Sequence, residues 1–139
     1  MVPFLYPNVG ALWVASTMQT ALAGASLRLF QSTAPDLTAA TVLSDLTGAE
    51  ANYTGYTPGG DTITAWTDPL LNPVGGASIE SGLFQFAIAS PYTVPNTISG
   101  WFITEAGGGL VCAGNFATER TLMGAGDGIP FNVELIFGI

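Results

Sequence analysis

The stretch that most limits what this chain can become runs from Ile98 to Phe116, ISGWFITEAGGGLVCAGNF. Trp101, Phe102, Ile103 and Thr104 are aromatic or β-branched, the residue types that fit a pleated, half-buried surface. Leu110, Val111, Cys112 and Ala113 follow after Glu105, Ala106 and three glycines. A short glycine-containing connection between two such runs predicts a β-hairpin. An isolated hairpin is marginal in water, so the rest of the chain must lay further strands beside it.

Those strands can be found. Ser26 to Gln31, SLRLFQ, alternates with strand period, and so does Asp61 to Thr67, DTITAWT, with Ile63 and Ala65 on one face and Thr64 and Trp66 on the other. Ser81 to Ala89 places Phe84, Phe86 and Ile88 together on what should be the core side. Phe131 to Phe137 alternates Phe131, Val133, Leu135 and Phe137 against Asn132, Glu134 and Ile136. Pro and Gly clusters separate these runs, and GAGDGIP, Gly124 to Pro130, reads as a turn.

A single convincing helix precedes them. Asn8 is a natural N-cap, Leu12, Ala15, Met18 and Leu22 recur at helical spacing, and Gly24 suits the residue after the end. Gly10 and the β-branched Val9, Val14 and Thr17 lower its intrinsic propensity, so packing must hold it. Ahead of it, MVPFLYP should be extended, because Pro3 and Pro7 fix φ and disfavour helix before them. Residues 33–60 turn to Ala, Thr, Asp, Gly and Pro and predict a long connection, anchored through one helical turn by Val42, Leu43 and Leu46. The expectation is one β-rich domain over 1–139: an arm at 1–7, a helix at 8–24, and an antiparallel β-sandwich or barrel over 26–139 with a long middle loop.

Charge decides which partners this domain can have. Asp, Glu, Lys and Arg make up 9% of the 139 residues, against about 25% in ordinary domains. Apolar residues make up 48%. A domain of this length buries roughly 68–70% of its unfolded surface, and what remains outside has too few charges to cover it. Since monomers rarely expose large apolar patches, part of the surface should be covered by copies of the chain or by another protein. Ten acids face Arg28 and Arg120, with no Lys or His, for a net charge of −8. That balance excludes nucleic acid, which needs phosphate-neutralising cations, and disfavours anionic membranes.

Catalytic chemistry has little to work with. A nucleophilic Ser or Cys needs a base, most often His, and neither His nor Lys is present. Cys112 falls mid-strand, as a small buried residue would, and being alone it forms no intrachain disulfide. Glu105, Glu119 and Glu134 read as solvated carboxylates. Zinc lacks ligands, and Asp61 with Asp68 does not reach the spacing of a calcium loop. GAGDG has no Lys and no following helix, so it is a turn and not a phosphate loop. Asn52, Tyr53 and Thr54 match the glycosylation triplet, which carries meaning in a secreted chain alone. Ala21, Ala23 and Ala25 resemble a signal-peptide cleavage site, but no basic residue precedes them and Pro3, Pro7 and Asn8 interrupt the front, so the start should be retained. No run is long enough for a membrane-spanning helix.

Several segments in succession resemble a known group: YPNVGALWV, SLRLFQSTAPDLTAATVLSDLT, NYTGYT and SGWFITEAGGGLVCAGNF. In this order the chain is similar to small virion structural proteins of tailed bacteriophages. The resemblance implies a non-catalytic capsid decoration, or cement, protein on the outside of the virion. Its partners would be the major capsid protein and copies of itself as a homo-oligomer, dimer or trimer, with no cofactor, nucleic acid or membrane. A tail or fibre component is the nearest alternative. A carbohydrate- or receptor-binding β-sandwich module, with Trp66 or Tyr56 stacking on a ligand, is a third reading. The interface residues expected from the sequence are Val2, Phe4, Leu5 and Tyr6 of the arm, Trp13, Tyr56, Trp66 and Ile139, with Trp66 singled out because Ile63 should take the inward face of its strand.

Overall fold

The computed structural model describes residues 8–73, 75–88, 96–124 and 127–137. Helix α1 spans Asn8–Ala21 and α2 spans Leu43–Thr47. The strands are β1 (Ser26–Gln31), β2 (Asp61–Thr62), β3 (Leu70–Leu71), β4 (Ala77–Glu80), β5 (Phe84–Ala87), β6 (Asn96–Thr104), β7 (Leu110–Leu122), β8 (Gly128–Phe131) and β9 (Glu134–Phe137). All pairings are antiparallel, in sheets ordered β2-β1-β6-β7, β3-β4-β9 and β5-β8. Among the described residues the sheets stay open and no barrel closes. They share one apolar core with α1: Leu27, Leu29, Ile98 and Ile103 from the first sheet, Ala77 and Ile79 from the second, and Phe86 and Ile129 from the third, against Ala11 and Ala15.

The predicted hairpin is the central feature. Trp101, Phe102 and Ile103 pair with Gly114, Ala113 and Cys112. The turn between them is closed by Glu105 N–H to Gly109 C=O at 2.9 Å, and Gly108 takes the left-handed φ of 96° that the turn requires. Gly100 is required for a different reason. A Cβ there would strike the Gly114 carbonyl and the Phe30 ring, so β1, β6 and β7 can approach this closely around a glycine alone.

The helix ends as its sequence signals, with Gly24 at φ 76° two residues past a last turn in which Leu22 N–H reaches Met18 C=O at 2.8 Å. Its small residues Ala11 and Ala15 let it lie close on β3, β4 and β9. Three strand expectations are corrected. DTITAWT pairs as a ladder only at Asp61–Thr62; beyond that, Trp66 makes one isolated bridge to Ser81. The Gly124 to Pro130 turn is shorter than expected, because Gly128–Phe131 already pairs with Phe84–Ala87. The final run is therefore two strands in different sheets, β8 and β9, with the buried Val133 between them.

Residues 33–60 are tied down at several points. Their apolar side chains Ala34, Leu37, Leu43 and Leu46 cover Phe30 and Phe102 on the far face of the first sheet. The expected helical turn is α2, with Leu46 fully buried and Asp45 accepting the Val42 N–H at 3.0 Å, although Val42 itself stays exposed. Ala49, Glu50 and Ala51 then run beside β1, through Gln31 N–H to Ala49 C=O at 2.8 Å and Ala51 N–H to Leu29 C=O at 3.0 Å.

Candidate interaction surface

The outward face of α1 exposes two large apolar side chains beside Ser16, Thr17 and Thr20. Ala11 and Ala15 point inward, which turns Val9 and Trp13, four residues apart, to the outside. Val9 is 78% exposed and Trp13 69%. A surface helix normally carries charged residues on its outer face; α1 has none, and the first charged residue of the chain is Arg28. Leu70 and Leu71 of β3, the strand beside α1, are exposed as well. An indole left in water forfeits one of the largest burial gains any side chain can make. Of the residues expected at an interface, Trp13 is thus outside and available.

Trp66 and Tyr56 are not, and this corrects the expectation for both. Trp66 is 8% exposed and donates its indole N–H to the Leu22 carbonyl at 3.1 Å. The strand alternation that would have turned it outward stops after Thr62, so Ile63 and Trp66 both face the core. Tyr56 is 9% exposed. Its hydroxyl accepts the Leu29 N–H at 3.1 Å and donates to Glu50 at 2.9 Å, and its ring meets Tyr53 and Phe86. With both rings enclosed, neither Trp66 nor Tyr56 offers a free face for stacking on a ligand. Val2, Phe4, Leu5, Tyr6 and Ile139 lie outside the described residues.

One ionic cluster is built into the fold. Glu50 accepts Arg28 Nε at 3.0 Å, the Tyr56 hydroxyl at 2.9 Å and the Gly59 N–H at 3.0 Å, with a second bond from the other arm of the guanidinium. The guanidinium carbon sits 4.9 Å from the centre of the Phe102 ring. Burial alone would raise the Glu50 carboxyl, but the bonds from Arg28, Tyr56 and Gly59 outweigh it and hold the group below its ordinary value. Donors from Arg28, Tyr56 and Gly59 all converge on the one Glu50 carboxylate, so the cluster ties β1 to the long connection. Burial pushes the Cys112 thiol up to about 11, which leaves it a poor nucleophile at neutral pH. Among the described residues no group of three His, Cys, Asp or Glu stands close enough to hold a metal ion, and no helix is long and apolar enough to cross a membrane.

No known family, curated protein or solved structure matches this chain. Its site has therefore to be read from geometry. The exposure of Val9 is not foreseeable from the sequence, because a single helix period does not say which of its two apolar edges will meet the sheet, and Leu70 and Leu71 fall in a short strand that the sequence does not signal. Nor is the role of Glu50, whose pairing with Arg28 depends on the long connection folding back on β1.

Proposed function

We propose that this chain is a non-catalytic structural protein that covers the outside of a tailed-phage capsid and stabilises it, held there by apolar contacts with the shell and with its own copies. The observation that carries this reading is Trp13 and Val9 standing in water on a charge-free helix. Such a surface gains by being covered, and many such contacts repeated over a lattice add up by avidity. The net charge of −8 suits the outer side of a shell rather than the side that faces DNA. The succession of segments resembling small virion structural proteins supplies the phage context.

The test uses purified capsids with and without the bound chain. Capsids carrying it should melt at a higher temperature and better survive loss of internal pressure, and Trp13→Asp should abolish binding. Equal melting of the two preparations overturns the cement role. Density for the chain on tails or fibres, with none on heads, would move it to the alternative virion location.

A further inference from the structure

The two long sides of the first sheet are treated differently. The outer side of β1 is closed by the chain itself, with β2 opposite Ser26 and Leu27 and residues 49–51 beside Leu29 to Gln31. β7, thirteen residues long, is paired to β6 on one side and among the described residues to no strand on the other. Natural sheets blunt an open edge with Lys, Pro or brevity. β7 has none of these; its ladder is irregular near Val111 and between Asn115 and Arg120, and its charges, Glu119 and Arg120, lie beyond Phe116, so the stretch from Leu110 to Phe116 is an uncharged edge.

A cleft of about 270 Å³ lies beside this edge, between Leu37, Thr38 and Thr41 on one wall and residues 110–113 on the other. Neighbouring strand residues point to opposite faces. The cleft touches all four of residues 110–113 and, although the ladder to β6 is irregular at Val111, no β6 residue is among its described walls, which sets it against β7 on the side away from β6. Its volume falls below the roughly 300–1,000 Å³ of small-molecule sites and suits a side chain or two of an added strand.

The sequence contains a segment with matching one-sidedness. Residues 1–7, MVPFLYP, lie outside the described structure, and their proline content predicts an extended segment. Pro3 and Pro7 are four apart, so in a strand they share an edge with Leu5, and that edge lacks two of its three N–H donors. Val2, Phe4 and Tyr6 present theirs to the opposite edge. Such a strand can pair on one side and ends the sheet on the other. It matches Leu110 to Phe116 in length and, like it, bears no side-chain charge.

We propose that residues 1–7 of one copy add as an edge strand to the outer side of β7 in a neighbouring copy, alongside Leu110 to Phe116. Val2, Phe4 and Tyr6 donate the hydrogen bonds, and an aromatic ring of the arm fills the cleft beside Leu37 and Thr41. The arm is assigned to a neighbour because α1, which follows it at Asn8, makes its main contacts with β3, β4 and β9, while β7 lies at the far end of the first sheet. This deepens the reading above, on which it rests, by naming how copies hold one another.

The experiment uses the full chain with Phe4 replaced by p-benzoylphenylalanine, mixed as isotopically light and heavy copies, irradiated and mapped by peptide mass. Light-to-heavy crosslinks to residues 110–116 or 37–41 are expected. Crosslinks within one chain, or to another surface, overturn the proposal. A proline pair checks the edge: Phe4→Pro removes an inward N–H and should weaken self-association about tenfold, whereas Leu5→Pro, on the outward edge, should leave it within about twofold. Equal effects of the two also overturn it. If the chain still coats capsids while Phe4 crosslinks elsewhere, arm docking falls and the structural role stands; if it neither self-associates nor binds capsids, both fall.

Discussion

Arg28 on β1 and Glu50 in the long connection meet through two hydrogen bonds, one of them Nε to Oε1 at 3.0 Å, and this pair locks residues 33–60 onto the first sheet. The side chains keep 15% and 14% exposure, so the pair is substantially desolvated. Removing one partner leaves the other uncompensated, which is costlier than never having built the pair. Glu50→Ala also strands the Gly59 N–H and the Tyr56 hydroxyl proton. It should lower stability by about 2–4 kcal/mol in urea unfolding. The double replacement Arg28→Met with Glu50→Leu removes the uncompensated guanidinium but still strands Gly59 and Tyr56, so it should recover only part of that loss.

Acid should expose the same pair. Glu50 titrates below its ordinary 4.5 when folded, so its stabilisation is complete above that pH and is lost as pH falls through the folded value. Thermal melting of the native chain should fall off below about pH 4.5, while Glu50→Gln should melt lower at neutral pH with a flatter decline. Parallel curves for the two proteins would remove Glu50 as the acid-sensitive group.

The tryptophans on α1 and before β3 should respond in opposite ways. Trp66→Phe removes the bond to the Leu22 carbonyl and part of a buried ring, at a cost of about 1–3 kcal/mol. Trp13→Ala touches a site exposed in the single subunit and, at concentrations low enough to keep the chain monomeric, should change stability by less than about 0.5 kcal/mol. Urea unfolding followed by far-ultraviolet circular dichroism reads both without relying on either indole.

Gly100→Ala forces a methyl group against the Gly114 carbonyl and the Phe30 ring, where backbone on one side and a packed ring on the other cannot both give way. A loss of about 2–4 kcal/mol is expected. Gly82→Ala, where a methyl group meets nothing within 4 Å, serves as the control and should be close to neutral.

What could be read from the sequence was local. The hairpin announced itself because its glycine turn and the strand residues flanking it lie within nineteen residues, Ile98 to Phe116, and α1 because its start, period and closing glycine coincide. What escaped was decided at long range. Trp66 turns inward because its ladder ends four residues earlier and Leu22 offers a carbonyl, and nothing within DTITAWT encodes either event. The break at Asn132 and Val133 is likewise invisible in an unbroken alternation, since β8 joins β5 while β9 joins β4. Trp13 was legible as a residue of energetic weight, but its exposure follows from Ala11 and Ala15 facing the sheet.

The central claim is that the charge-free face of α1 is covered by protein when the chain is at work. Light scattering coupled to size exclusion tests it most directly, on the full chain and on Trp13→Asp, at low and high salt. The chain should elute as a homo-oligomer that tightens as salt screens its net charge of −8, and Trp13→Asp should shift it to monomer. A native chain that remains monomeric at every concentration and salt, indistinguishable from Trp13→Asp, would contradict the account.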